Sequence, residues 1–311
     1  MIVDLKKAEG LVISLKANYL IVEIEPIKLD TSLLNYSENN VNPIRILCTQ
    51  RSKMKYEGYE VNVGDRVFVE SIDLEQKRGV IYGVKERISF LKRPPVANVS
   101  DIFVFISVSE PSLNLDQASR FLITAERTGL NVSLVLSKSD LISSDELLSY
   151  KKMIEQWGYK PILFSTITGM GTVDLLNKLK LSKLSVLCGP SGVGKSSLIK
   201  LLLPDKSISI SSVSKKLQRG RHTTRNVELF SLVKGCYVAD TPGFNRPELG
   251  IEARKLANLF PEFRIQTNGK DCKFRDCLHR DEPGCKMNKN WPRYSYYLKC
   301  LDEIIIPDLH Y

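Results

Sequence analysis

The sequence predicts an α/β chain in three parts: a small five-stranded β-barrel, a mainly parallel sheet with covering helices, and a small C-terminal helical module. Three observations predict it. Short segments rich in Val and Ile, separated by turn residues, fill the N-terminal region up to residue 92. Strand–helix alternation begins at Asp101. Cys272, Cys277 and Cys285 then cluster around His279 near the C-terminus.

The barrel strands are expected near Gly10–Ser14, Tyr19–Glu25, Ile44–Thr49, Arg66–Ser71 and Gly79–Val84, with turns at Glu57-Gly58 and Gly64-Asp65. Short strands at this spacing close into small barrels. Basic residues line the region: Arg51, Lys53, Lys55, Lys77, Arg78, Lys85 and Arg87. A barrel of the oligonucleotide-binding type fits this pattern, and so does a purely structural β domain.

Pro94-Pro95 stiffens the linker that follows, because proline fixes φ and restricts its predecessor. Ile102–Val108 is a continuous apolar run, as a strand buried on both faces requires. Leu115, Ala118, Leu122 and Ala125 recur at helical spacing. Asn131–Leu136 is the next strand. Ser143-Ser144-Asp145-Glu146 forms a capping box for a helix that ends near Gly158. Pro161–Ser165 and Leu184–Cys188 complete a mainly parallel sheet.

With 311 residues, 43% hydrophobic and 26% charged, the chain has the composition of a soluble globular protein. No apolar run reaches the roughly 20 residues that cross a bilayer, and Met1–Lys7 lacks a signal-peptide pattern. A cytoplasmic monomer with no membrane partner is expected. Seven cysteines, an odd number, make a poor disulfide framework. The formal charge of +10, from 45 basic and 35 acidic residues, favours polyanions.

Gly189-Pro190-Ser191-Gly192-Val193-Gly194-Lys195-Ser196 matches G-x-x-x-x-G-K-[ST], preceded by the buried strand and followed by a helical segment, Ser197–Leu203. Glycines let backbone N–H groups turn inward around phosphate oxygens at a helix N-terminus. The candidate contacts are Gly189, Ser191, Gly192, Val193, Gly194, Lys195, Ser196 and Ser197. Lys195 would reach the β- and γ-phosphates, and the Ser196 hydroxyl would bind Mg²⁺. Downstream, the strand Cys236–Asp240 runs into Asp-Thr-Pro-Gly. Asp240 suits the Mg²⁺ shell and the Gly243 N–H suits the γ-phosphate.

Ser137-Lys138-Ser139-Asp140 ends a buried strand and resembles the [NT]-K-x-D element that reads guanine. The Asp140 carboxylate would accept from the ring N–H and exocyclic amine, donors that adenine lacks, and the Lys138 stem would cover the base. Ser137 replaces the usual Asn or Thr. Ser165-Thr166 resembles the Ser-Ala element whose main chain meets guanine O6. These base-reading elements precede the phosphate loop, the reverse of the ordinary order. The central domain is therefore expected to be an α/β P-loop GTPase domain, circularly permuted. Asp140 argues against an ATP-dependent kinase. The joint presence of Lys195, Ser196 and Asp240 argues against a domain that binds nucleotide without turning it over.

Cys272-x4-Cys277-x-His279-x5-Cys285 supplies three thiolates and one imidazole, the donor set of a closed structural Zn²⁺ site. Lys270–Arg293 holds seven basic and four acidic residues, with Phe274 and Trp291 among them. An RNA-facing surface is expected there, against the plainer reading of a solvated face.

These residues together resemble the ribosome-small-subunit-dependent GTPase A family of circularly permuted GTPases. The resemblance rests on Gly64-Asp65, Arg93-Pro94-Pro95-Val96-Ala97-Asn98, GPSGVGKSS from Gly189, RGRHTTR from Arg219, DTPGF from Asp240 and the Cys/His set. It implies an oligonucleotide-binding-type barrel over 1–92, a permuted GTPase domain over 93–250 and a zinc domain over 251–311. It also implies GTP hydrolysis, stimulated by the small ribosomal subunit, in late maturation of that subunit, with contacts to its rRNA. Arg219–Arg225 occupies the first-switch position, where Thr223 or Thr224 would contact Mg²⁺; Thr223 is taken as the ligand. Phe244 follows Gly243 where many GTPases soon place a water-orienting Gln, so His222 is the candidate catalytic group.

Overall fold

The structure, a computed structural model, describes residues 5–16, 19–24, 43–203, 227–240, 249–267 and 272–305. They fall into two compact units. One takes residues from 1–100, 182–186 and 209–243, the other from 101–181, 187–208 and 244–311.

The first unit contains the barrel. Strands β1 (Leu5–Lys16), β2 (Tyr19–Ile24), β3 (Ile44–Gln50), β4 (Arg66–Asp73) and β5 (Arg78–Val84) match the expected segments, with β1 extended at both ends. β1 pairs with β2 and with β4, β2 with β3, β3 in parallel with β5, and β5 with β4, which closes the ring. Closure leaves no free strand edge. The register of β1 against β2 shifts between Val12 and Ser14, and such a bulge bends a strand. Alternate residues point inward, and Val12, Val22, Ile46, Val67, Val69 and Ile81 are almost wholly buried. The short helix α1 (Ser52–Tyr56) lies between β3 and β4 in sequence and sends Met54 into this core.

The stiff linker expected at Pro94-Pro95 is a small hairpin, β6 (Phe90–Lys92) with β7 (Pro95–Ala97). Two segments singled out in the sequence meet here. The Ala97 N–H donates to the Val63 carbonyl at 2.8 Å, and Asn98 Nδ2 donates to the Gly64 carbonyl at 2.9 Å. Gly64 has φ +88, and a Cβ there would lie 2.1 Å from the Ala97 oxygen. Asp65, fully buried, holds Arg87 by two hydrogen bonds of 2.7 and 2.8 Å. Arg87 therefore clasps this junction instead of lining a nucleic-acid surface. Arg51, Lys53 and Lys85 of the expected basic lining pair with Glu70, Glu57 and Glu9. The same unit includes the antiparallel pair β12 (Glu228–Val233) and β13 (Cys236–Asp240), and β12 meets β1 where Ser14 faces Glu228.

The second unit holds the parallel strands β8 (Asp101–Ser107), β9 (Asn131–Ser137) and β10 (Ile162–Phe164). Phe103, Val104 and Phe105 are fully buried, as the continuous apolar run requires. Helix α2 (Leu115–Glu126) buries Ala118, Leu122 and Ala125 of the expected stripe together with Phe121, whereas Leu115, at its first turn, is exposed. Helix α3 (Ser144–Gln156) begins as the capping box predicts, with Ser143 Oγ accepting the Glu146 N–H at 3.3 Å. Helix α4 (Thr172–Leu181) follows β10, and α5 (Lys195–Leu202) follows β11 (Leu184–Cys188).

The C-terminal helices, chiefly Pro261–Thr267 and Tyr294–Ile305, share an aromatic core of Phe260, Phe263, Trp291 and Tyr297. That core includes Ile123 of α2. Salt bridges Arg120–Glu303 and Lys299–Asp116 join the last helix to α2. Trp291 is buried and Arg293 only 3% exposed, so neither belongs to the RNA-facing surface expected for this segment. Phe274, by contrast, is exposed.

Candidate nucleotide and metal sites

The carboxyl ends of β8, β9 and β10 are level: Ser107 pairs with Ser137, and Ser137 with Phe164. Ligands of open α/β sheets bind at this edge. Ser137 and Ser165 are both 1% exposed here. Ser137 Oγ donates to the Val193 carbonyl at 2.7 Å. The residue that departs from the usual pattern thus ties the base-reading strand to the phosphate loop.

Lys138 adopts a left-handed conformation, φ 57, opening the short 3₁₀ turn Ser139–Leu141 that carries Asp140. Its Nζ donates to the Glu110 carbonyl. Ser139 Oγ donates back to the Leu136 carbonyl at 2.8 Å, which secures the turn. Asp140 is half-buried. After β10, Ser165 Oγ accepts the N–H groups of Ile167 and Thr168 at 3.1 and 3.2 Å. The N–H of Ser165 itself goes to the Met170 carbonyl. Ser165 therefore orders the loop, and Thr166 beside it is exposed.

The phosphate loop leaves β11 at Gly189, φ +135, where a Cβ would lie 2.1 Å from the Phe105 oxygen. Only glycine passes at that separation. Gly192 and Gly194 also have positive φ. Val193 is buried, anchoring the loop, while Ser191, Gly192, Ser196 and Ser197 are exposed. Lys195 Nζ is held at 2.7 Å by the carbonyls of Gly189 and Pro190. α5 starts at Lys195, two residues earlier than its sequence suggested, so its first N–H groups face the loop. In the first unit, β13 ends at Asp240, as expected. His222, Thr223, Thr224 and Gly243 lie outside the described residues.

The structure brings all four predicted metal ligands together. Donor atoms of Cys272, Cys277, His279 and Cys285 lie within 4.8 Å of one another. Cys272 Sγ is 4.0 Å from Cys285 Sγ, and His279 Nδ1 is 3.6 and 3.8 Å from those two sulfurs. Tetrahedral ligands on Zn²⁺ have edges of about 3.8 Å, given Zn–S of about 2.3 Å. The donor set fits that ion. Burial lowers the His279 pKa against the pull of Glu282, favouring the neutral imidazole that ligates metals. Burial also pushes the Cys277 thiol up to about 12, so a thiolate there needs a cation beside it.

Sequence reasoning missed two supporting groups. Glu282 accepts the N–H groups of Leu278 and Arg280 at 2.9 and 2.8 Å and so shapes the ligand loop. Glu282 stands between two ligands and is a plausible organiser on spacing alone, but its partners are main chain. Arg293 and Glu262, both 3% exposed, form a bidentate pair with two 2.6 Å hydrogen bonds. The guanidinium stacks 4.7 Å from the Trp157 ring centroid and 4.8 Å from that of Phe260. Burial opposes its charge, and Glu262 outweighs burial, holding the Arg293 pKa above its ordinary value. The pair pins the C-terminal helices to the segment between α3 and β10. Phe263, next to Glu262, packs its ring 4.8 Å from His279, so the pin and the metal ligands share one core.

Comparison with known proteins agrees with this architecture. The family model described as RsgA GTPase matches residues 84–250. A relative from Prochlorococcus marinus (strain MIT 9303), named small ribosomal subunit biogenesis GTPase RsgA, is 51% identical over 296 residues, covering 95% of this chain and 92% of the relative. One of the same name from Synechococcus sp. (strain CC9311) is 48% identical, covering 98% and 97%. Among solved structures, YjeQ from Thermotoga maritima superposes with a TM-score of 0.76 at 31% identity, covering 96% of this chain and 99% of that one. YloQ, described as a circularly permuted GTPase, gives 0.73 at 27% identity, covering 98% and 97%. The barrel, the reversed order of base and phosphate elements, and the Cys/His cluster are thus those of a circularly permuted GTPase, and the chain belongs to the RsgA GTPase family.

Proposed function

We propose that this GTPase acts in late maturation of the small ribosomal subunit, that the subunit stimulates its hydrolysis, and that its barrel binds rRNA. The observation that carries the ribosomal reading is near full-length likeness, at about half identity, to relatives named for small-subunit biogenesis. The net charge of +10 supports a polyanionic partner.

The division of labour follows the chain: barrel over 1–92, permuted GTPase domain over 93–250, zinc domain over 251–311. GTP lies with its base between Lys138 and Asp140 and against the main chain of Thr166. Its phosphates lie in the loop Gly189–Ser197, with Lys195 at the β- and γ-oxygens. Ser196, Asp240 and Thr223 (or Thr224) hold Mg²⁺, which offsets the charge on the phosphate oxygens. Gly243 meets the γ-phosphate and His222 orients the attacking water. Cys272, Cys277, His279 and Cys285 hold one structural Zn²⁺. The chain works as a cytoplasmic monomer; no described helix is long and apolar enough to cross a membrane.

The test is GTP turnover with and without purified small subunits. Stimulation of at least tenfold supports the proposal. Turnover indifferent to small subunits, with binding to them absent by sedimentation, overturns it.

A further inference from the structure

Within the first unit, one buried carboxylate joins the barrel to the strand that ends at Asp240. Glu23 on β2 is 3% exposed. Its Oε2 accepts from Arg45 Nε on β3 at 3.0 Å, and Arg45 Nη2 lies at the same distance. Its Oε1 accepts from the Tyr237 hydroxyl on β13 at 2.7 Å. The Tyr237 N–H in turn donates to the Lys183 carbonyl at 3.0 Å. Glu23 lies opposite Leu11 of β1 and Arg45 of β3, on the face of β2 that points away from Val22 and the barrel core, and it is buried there. A carboxylate in such surroundings is costly unless both its oxygens are paired.

The two partners of Glu23 differ in what else they can meet. The Arg45 side chain is 41% exposed, and a guanidinium is the side chain best shaped for a phosphate. Tyr237 lies three residues before Asp240 on the same strand, roughly 10 Å along a stiff backbone. A phosphate that draws Arg45 outward leaves Glu23 to be held by Tyr237 alone. The carboxylate must then shift toward the tyrosine, and the strain falls on β13.

We propose that the Glu23–Tyr237 hydrogen bond couples RNA on the barrel to the nucleotide state, with Arg45 receiving an RNA phosphate and Tyr237 acting as a positioning residue for Asp240. This rests on the reading that the barrel binds RNA and that Asp240 serves Mg²⁺. Coupling of this kind is reciprocal: nucleotide must change RNA affinity by the same factor as RNA changes nucleotide affinity.

The experiment measures the affinity of the full chain for a fluorescein-labelled single-stranded oligoribonucleotide by anisotropy. It is run with GDP and with a non-hydrolysable GTP analogue, each with Mg²⁺, for wild type and Tyr237→Phe. The proposal expects the two wild-type affinities to differ at least fivefold and the ratio to fall below twofold in Tyr237→Phe. Tyr237→Phe leaves Glu23 Oε1 without its donor, so the melting temperature should fall modestly while the chain stays folded; the readout is the ratio between the two nucleotide states, which a uniform loss of stability does not move. A ratio that survives in Tyr237→Phe, or a wild-type ratio near one, overturns the coupling and leaves the RNA-binding reading standing. Wild-type protein that binds no oligoribonucleotide in either state overturns that reading, and the coupling with it.

Discussion

Ser137 Oγ donates a 2.7 Å hydrogen bond to the Val193 carbonyl, fastening the base-reading strand to the phosphate loop. Both residues are buried, so Ser137→Ala leaves a carbonyl without its partner. The expected cost is about 1 kcal/mol, roughly a fivefold loss of GDP and GTP affinity together. Fluorescence titration with a labelled guanine nucleotide measures it. Unchanged affinity would mean that the loop holds its shape without this tie.

Asp140 stands on a turn secured by Ser139, directly after the carboxyl end of β9. Asp140→Asn replaces an acceptor with a donor opposite a donor. GTP affinity should fall by at least tenfold, with preference over ATP largely lost. Calorimetry that finds ATP bound as tightly as GTP by the wild type would remove Asp140 from the base site.

Much of this was legible because the informative groups are close in sequence. The phosphate loop, the Ser143 cap and the four metal ligands each lie within one short segment, so spacing alone fixes their geometry. Strand ends were legible too, since β3, β9 and β11 are bounded by turn residues. What was not legible joins distant positions: Arg293 and Glu262 are separated by 31 residues, Tyr237 and Glu23 by 214. Residue type misled as well. Arg87 and Trp291 read as nucleic-acid contacts, yet each has an internal partner: a buried carboxylate for Arg87, an aromatic core for Trp291. Charge and aromaticity do not reveal which way a side chain points.

Purified protein should carry one Zn²⁺ per chain by elemental analysis. Cys277→Ser removes the most buried of the three thiols and should abolish stoichiometric binding. It should lower the stability of the C-terminal helices, whose Phe263 packs on His279, while guanine nucleotide still binds. A metal-free wild type purified without chelator would defeat the assignment.

Arg293→Ala leaves the buried Glu262 carboxyl without its partner in an aromatic core. Removing one partner of a buried pair costs about 3–5 kcal/mol. The urea midpoint should drop accordingly, and the fluorescence of Trp157, which stacks on this guanidinium, and of Trp291, which packs on Phe260, should report the loss. A midpoint within error of wild type would show that the pair contributes no net stability.

His222→Ala should leave GTP binding and basal turnover nearly unchanged. Turnover stimulated by small subunits should fall at least tenfold, roughly 1.4 kcal/mol of barrier. If stimulation survives with subunit binding intact, His222 is not the catalytic group and Thr223, Arg221 or an rRNA group must take its place.

The C-terminal core that covers Ile123 has a consequence for synthesis. Helix α2 leaves the ribosome long before Phe260, Trp291 and Tyr297, the aromatic residues that complete that core. Until those residues emerge, the nascent chain displays an apolar face on an otherwise finished helix. Such exposed patches attract chaperones and other nascent chains. A chain released early, ending before Trp291, should therefore aggregate even though its strands and phosphate loop are all present.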